Sequence, residues 1–152
     1  MPGGGVEARE LAVSDRMRAA LRDQFLLFYT GQRRSASDIL GAGQAEEALH
    51  RLKELAGETC AALEADDLER VAELMQEHWE AKRRRAPGTV TEEMDALRER
   101  ALDAGAGGVI SLGAGGGGFL LVYSPDPERT RAVLRAPELT FGLDEAGCTA
   151  LT

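Results

Sequence analysis

The densest chemical signal in the sequence is a run of glycine. Gly113, Ala114, Gly115, Gly116, Gly117 and Gly118 place five residues without a Cβ in six positions. Eight of the chain's 18 glycines fall between Gly105 and Gly118, so the enrichment is local. Successive glycines reach positive φ and can turn neighbouring N–H groups into one concavity, a nest for anions. They also let a phosphate or a second backbone segment approach closely. The plain alternative is a hairpin turn. Two or three residues suffice for that, and each further glycine costs about 0.5–1 kcal/mol relative to alanine in a regular element. Approach of a ligand or partner therefore explains the run better than a turn alone. Gly113, Gly115 and Gly118 also satisfy G-x-G-x-x-G, with Glu138 twenty residues further on. That fingerprint needs a helix to begin at its third glycine, where the pyrophosphate sits. Here Phe119-Leu120-Leu121-Val122-Tyr123 follows, which reads as a strand. A dinucleotide site is excluded on that ground, and a Walker A loop by the lack of Gly-Lys-Ser/Thr.

Other reactive residue types are sparser. Thr30 and Gly31 end an apolar run, and Arg34 and Ser35 follow shortly after. Their hydroxyls and guanidinium fork suit a phosphate or carboxylate, so these four are candidate substrate contacts. The alternative for Arg33 and Arg34 is a solvated pair after a turn. His78 and Trp79 extend an apolar helical stripe, which favours a core or rim role over chemistry. His50 lies among charged residues with no ligand partner nearby in sequence. Asp66 and Asp67 suit helix capping, and Arg83 to Arg85 complement a helix C-terminus. Cys60 and Cys148 are too few and too widely spaced for a disulfide framework or a zinc site, and read as free thiols in a reducing cytoplasm. No catalytic set and no metal-ligand set is expected.

The elements that must position these groups follow from periodicity. Residues 6–13 alternate loosely, as an edge strand would, and Ser14 caps a short helix through Leu21. The apolar Phe25-Leu26-Leu27-Phe28-Tyr29 reads as a buried central strand. Residues 35–105 are helical: a short helix capped by Ser35 or Ser37, then a stripe of Leu49, Leu52, Leu55, Ala56 and Leu63. A third helix carries Leu68, Val71, Met75, Trp79 and Lys82 on one face, and a fourth starts at Thr91 and stops at Gly105. The pattern then switches to period two. Residues 109–112 and 119–123 are strands joined by the glycine run. Pro125-Asp126-Pro127 opens a helix over about 128–135, 139–143 is a strand, and 147–151 is a short closing one. The fold class is α+β, an antiparallel sheet covered on one face by helices.

Length and composition bound the function. A chain of 152 residues fits one domain or one half of a two-domain enzyme. We read it as a single domain over 1–152, with 1–24 a lead-in strand and short helix and 25–152 the core. A formal charge of −8 argues against a nucleic-acid surface and against binding to anionic lipid. No apolar run approaches a membrane span, and no basic segment followed by an apolar one opens the chain, so a cytoplasmic location is expected.

Several segments together resemble one family. Ala104-Gly105-Ala106, followed by Leu112 and the glycine run into Phe119-Leu120-Leu121, resembles the third motif of the GHMP kinases (galactose, homoserine, mevalonate and phosphomevalonate kinases). Leu26 to Gly31, Arg34 to Leu40, and Glu77-His78-Trp79-Glu80 with Lys82-Arg83-Arg84 resemble the D-glycero-D-manno-heptose 7-phosphate kinase branch. The likeness runs from about Val6 to Leu151. It implies a ferredoxin-like C-terminal domain whose residues Gly113, Ala114, Gly115, Gly116, Gly117 and Gly118 support the nucleotide phosphate loop. It also implies ATP and Mg²⁺ as cofactors and a sugar phosphate as substrate. Two departures stand out. The family has Gly-Gly-Lys before the motif, whereas this chain has Ile110 where the lysine would fall. The family's Pro-x-x-x-Gly-Leu-Gly-Ser-Ser loop and acidic residue, carried by the N-terminal catalytic half, are absent here. Three readings remain open: a kinase domain contributing to a nucleotide and substrate cleft, one half of a split kinase docking on a separate chain, or an inactive remnant.

Overall fold

The structure, a computed structural model, describes residues 9–32 and 46–144. Helix α1 (Asp15–Asp23) begins where Ser14 accepts a hydrogen bond from the Met17 amide, and it buries Met17 and Ala20. Strand β1 (Phe25–Tyr29) follows, then α2 (Glu46–Glu64), α3 (Leu68–Arg85) and α4 (Glu92–Asp103). Asp67 caps α3 and Thr91 caps α4, each accepting from the amide three residues on. Strands β2 (Gly108–Ser111) and β3 (Phe119–Tyr123) form a hairpin around the glycine run. Helix α5 (Pro127–Leu134) opens with Asp126 as cap and proline in its first turn, and β4 (Glu138–Leu139) closes the described chain.

The sheet is antiparallel throughout, in the order β2-β3-β1-β4. Strand–helices–strand–strand–helix–strand with that order is the split βαβ, or ferredoxin-like, arrangement. Alternation of side chains sorts the sheet into two faces. Leu26, Phe28, Val109, Leu120 and Val122 share one buried cluster with Trp79, Met94, Ala101 and Leu134, so α4, α5 and the end of α3 cover that face. Ile110, Leu121 and Tyr123 project from the alternate face and are half-buried beside Phe25, Leu55, Leu74 and Met75. Arg51 and Arg70 bridge α2 and α3 through Glu58 and Glu77.

Two expected strands differ. Residues 9–13 form no strand; Arg9 and the Ala12 amide are tied instead to the Glu64 carboxylate at the end of α2. The strand expected over 139–143 is limited to Glu138–Leu139. Leu139 lies opposite Leu27, so pairing stops two residues short of the start of β1, and Phe141 packs into the half-buried cluster. The short helix expected after Ser35 or Ser37 and the closing strand at 147–151 lie outside the described residues. Among the described residues, no helix is long and apolar enough to cross a membrane.

Candidate functional site

The glycine run connects two strands whose pairing continues through the Leu112 amide to the Phe119 carbonyl. Two glycines explain most of its shape. Gly115 has φ +99°, and a Cβ there would lie 2.4 Å from the Thr89 carbonyl oxygen. Gly117 has φ +140°, and a Cβ there would lie 2.9 Å from the Gln32 carbonyl oxygen. Both contacts are with backbone, which cannot swing aside. The neighbouring amides use the same carbonyls: Gly116 N–H donates to Thr89 (2.8 Å) and Gly118 N–H to Gln32 (3.0 Å). What approaches the loop closely is therefore the chain itself, at the α3–α4 turn and just after β1. The Thr89 turn is rigid in its own right, since the buried Thr89 hydroxyl donates to the Ala86 carbonyl at 2.7 Å.

Four amides are left over. Among the described residues, the N–H groups of Gly113, Ala114, Gly115 and Gly117 have no hydrogen-bond partner. These residues line a concavity of about 700 Å³ together with Tyr29, Gln32, Leu112 and Phe119. Tyr29 and Phe119 pair with ring centroids 5.4 Å apart, and Leu112 and Leu139 are exposed. The arrangement offers uncharged backbone donors beside an apolar wall, suited to a phosphate next to a less polar group. Among the described residues, no carboxylate lines it.

The candidate substrate contacts separate. Thr30 is brought to the loop, where its amide and hydroxyl both donate to the Gly118 carbonyl at 2.9 and 3.1 Å. Its side chain is thus engaged in holding the loop. Gly31 is exposed in the turn beside it. Arg34 and Ser35 lie outside the described residues. Trp79 is fully buried, with its indole N–H 3.3 Å from Asp95 and the Arg98 guanidinium 5.5 Å above its ring. Burial holds the neighbouring His78 below the ordinary histidine range. Among the described residues, no group of three or more His, Cys, Asp or Glu is placed to hold a metal ion.

Sequence reasoning missed Lys82 as part of this site. It was legible only as the last member of the α3 stripe, yet its Nζ donates to the Ser111 carbonyl (2.6 Å) and the Gly113 carbonyl (2.7 Å). Ile110, where the resemblance would place lysine, sits in the half-buried cluster, so the cation beside the loop comes from α3 instead.

Comparison with known proteins agrees with this architecture. The chain is 26% identical over 133 residues to the D-glycero-alpha-D-manno-heptose 7-phosphate kinase of Campylobacter jejuni, which covers 83% of this chain and 39% of that protein. The chain thus spans well under half the length of that relative. Its fold matches a D-glycero-D-manno-heptose 1-phosphate kinase from Bacteroides thetaiotaomicron (TM-score 0.56, 24% identity, 86% of this chain and 36% of the other). It also matches Streptococcus pneumoniae phosphomevalonate kinase in complex with phosphomevalonate and AMPPNP (TM-score 0.64, 23% identity, 74% and 35%). The family model for the C-terminal region of GHMP kinases matches residues 59–140, more than half of the chain and the whole β2–loop–β3 hairpin. The chain belongs to the GHMP kinases, as their C-terminal domain.

Proposed function

We propose that this domain is the C-terminal part of an ATP-dependent, cytoplasmic sugar-phosphate kinase of the heptose 7-phosphate type, contributing residues 113–118 to the nucleotide and substrate cleft. One observation carries the reading: four residues whose backbone amides have no partner among the described residues line a single concavity in the glycine loop of a GHMP kinase domain. Preorganised N–H donors of this kind favour phosphoryl oxygens without needing a lysine at position 110. The nucleotide's phosphates fit that donor set. Among the described residues no carboxylate lines the concavity, so none of them is placed there to ligate magnesium directly. Phosphoryl transfer also requires a phosphate cradle and a group that orients the attacking hydroxyl. The length ratio to the Campylobacter jejuni relative leaves space for these in a preceding half.

The same ratio favours a second reading, in which the chain is a non-catalytic module docking on a separate chain that carries that half. A coupled phosphotransfer assay with heptose 7-phosphate and ATP–Mg²⁺ tests both. Neither reading expects turnover from this chain alone, and robust turnover by it would overturn both. Co-expression with the product of an adjacent reading frame bearing the Gly-Leu-Gly-Ser-Ser loop should yield a complex that turns over. Failure of two such chains to associate would remove the split-enzyme reading.

A further inference from the structure

Lys82 occupies an unusual position for a lysine. It is 4% exposed and continues a stripe of Leu68, Val71, Met75 and Trp79 that is otherwise apolar. Among the described residues no carboxylate lies within ion-pairing distance of it. The strand and loop it faces, residues 108–118, contain no ionisable side chain, and neither does the α3–α4 connection, residues 86–91. On its own helix, Arg85 is the charged neighbour that acts on it, and Lys82 in turn acts on the titratable His78. Burying an ammonium without a counter-ion is costly, so core stability does not account for it. Its recorded partners are the two carbonyls on either side of Leu112, where β2 gives way to the loop.

We propose that Lys82 is the positioning residue of the glycine loop: its ammonium pins the Ser111 and Gly113 carbonyls, fixes the backbone lining the concavity, and sets a positive charge beside an arriving phosphate. The pinning stands on the geometry alone. The charge contribution rests on the phosphate reading above. Burial, reinforced by Arg85, lowers the Lys82 pKa to about 8, which puts its titration within reach of a folded-state experiment.

The test uses the full 152-residue chain labelled with ¹⁵N, as wild type, Lys82→Met and Lys82→Arg. Methionine keeps length and fits apolar surroundings, so β1 amide protection should persist. Exchange at the Gly116 and Gly118 amides should accelerate about tenfold in K82M, and K82R should restore most of the protection. In wild type the loop amides should titrate together with the Lys82 Nζ signal, and that response should vanish in K82M. Should K82M fail to fold, the wild-type titration decides by itself. Loop exchange unchanged in K82M, or loop amides that stay flat while Nζ titrates, would overturn the pinning. Inorganic pyrophosphate then probes the charge: binding read at loop amides should weaken about tenfold in K82M. Equal binding in both would overturn the charge contribution. No loop response in wild type would defeat the phosphate reading and leave the exchange result standing.

Discussion

Replacing Gly115 by alanine is the sharpest perturbation of the loop. Its φ of +99° is a conformation that costs a residue with a Cβ about 1–3 kcal/mol. The new Cβ would also sit 2.4 Å from the Thr89 carbonyl oxygen. Relieving that overlap must stretch the adjacent Gly116–Thr89 hydrogen bond, now 2.8 Å and worth about 1 kcal/mol. Together the loss should reach about 2–4 kcal/mol, a large share of the roughly 5–15 kcal/mol expected for a domain. Gly113→Ala is the matched control. It shares a positive φ of +74°, but its Cβ would meet nothing within 4 Å, so about 1–2 kcal/mol is expected. Urea unfolding followed by the fluorescence of the single tryptophan, Trp79, measures both. The corresponding drop in Tm for G115A is about 5–15 °C. If G115A proved no more destabilising than G113A, the close approach of the Thr89 backbone would be wrong.

Further predictions follow from the same contacts. Ser14→Ala removes both the α1 cap and a 2.6 Å hydrogen bond from the Ser14 hydroxyl to Asp66, and should lower stability by about 1–2 kcal/mol in urea titrations. Trp79→Ala empties a fully buried site and should cost about 3–5 kcal/mol, read by circular dichroism since the fluorophore is lost. Lys82 titrates at about 8 when folded against about 10.5 when unfolded, so the unfolded chain binds the extra proton between those values. The penalty of burying its charge is therefore fully present below pH 8 and is relieved as pH rises from 8 towards 10.5. Wild type should gain stability relative to K82M across that window; a difference independent of pH would contradict it. Half-buried Glu58, held below the usual carboxylate range by Arg51 and Arg70, should lose that stabilising contribution as pH falls through its lowered pKa, and Glu58→Gln should cost less in molar salt.

Elements with strong local signals were legible in the sequence, and those set by tertiary partners were not. Phe25–Tyr29 and Phe119–Tyr123 stand where their apolar runs and glycine boundaries put them, because both pair in the sheet interior. The Ser14, Asp67 and Thr91 caps were readable since capping depends on three or four neighbouring residues. The end of β4 was not, because pairing stops opposite Leu27, inside β1, at a point set by the folded sheet and not by the pattern of residues 139–143. The glycine run was read as a place for a ligand or partner to approach, and the structure shows the chain's own backbone approaching it. Its approaching groups, the carbonyls of Thr89 and Gln32, lie at the α3–α4 turn and just beyond β1, which no local pattern reveals. Lys82 was hidden for a related reason: a lysine ending an apolar stripe looks like a snorkelling rim residue until the two carbonyls it meets are known.

Titration of the ¹⁵N-labelled chain with AMPPNP–Mg²⁺ and a heptose phosphate, read amide by amide, tests the proposed function most directly. The account predicts saturable shifts at Gly113, Ala114, Gly115 and Gly117, the residues whose N–H groups have no partner among the described residues, with smaller changes at Gly116 and Gly118, already bonded to Thr89 and Gln32. Saturable binding that leaves residues 113–118 unmoved, or no binding at millimolar nucleotide, would contradict it and reduce the glycine loop to a structural turn.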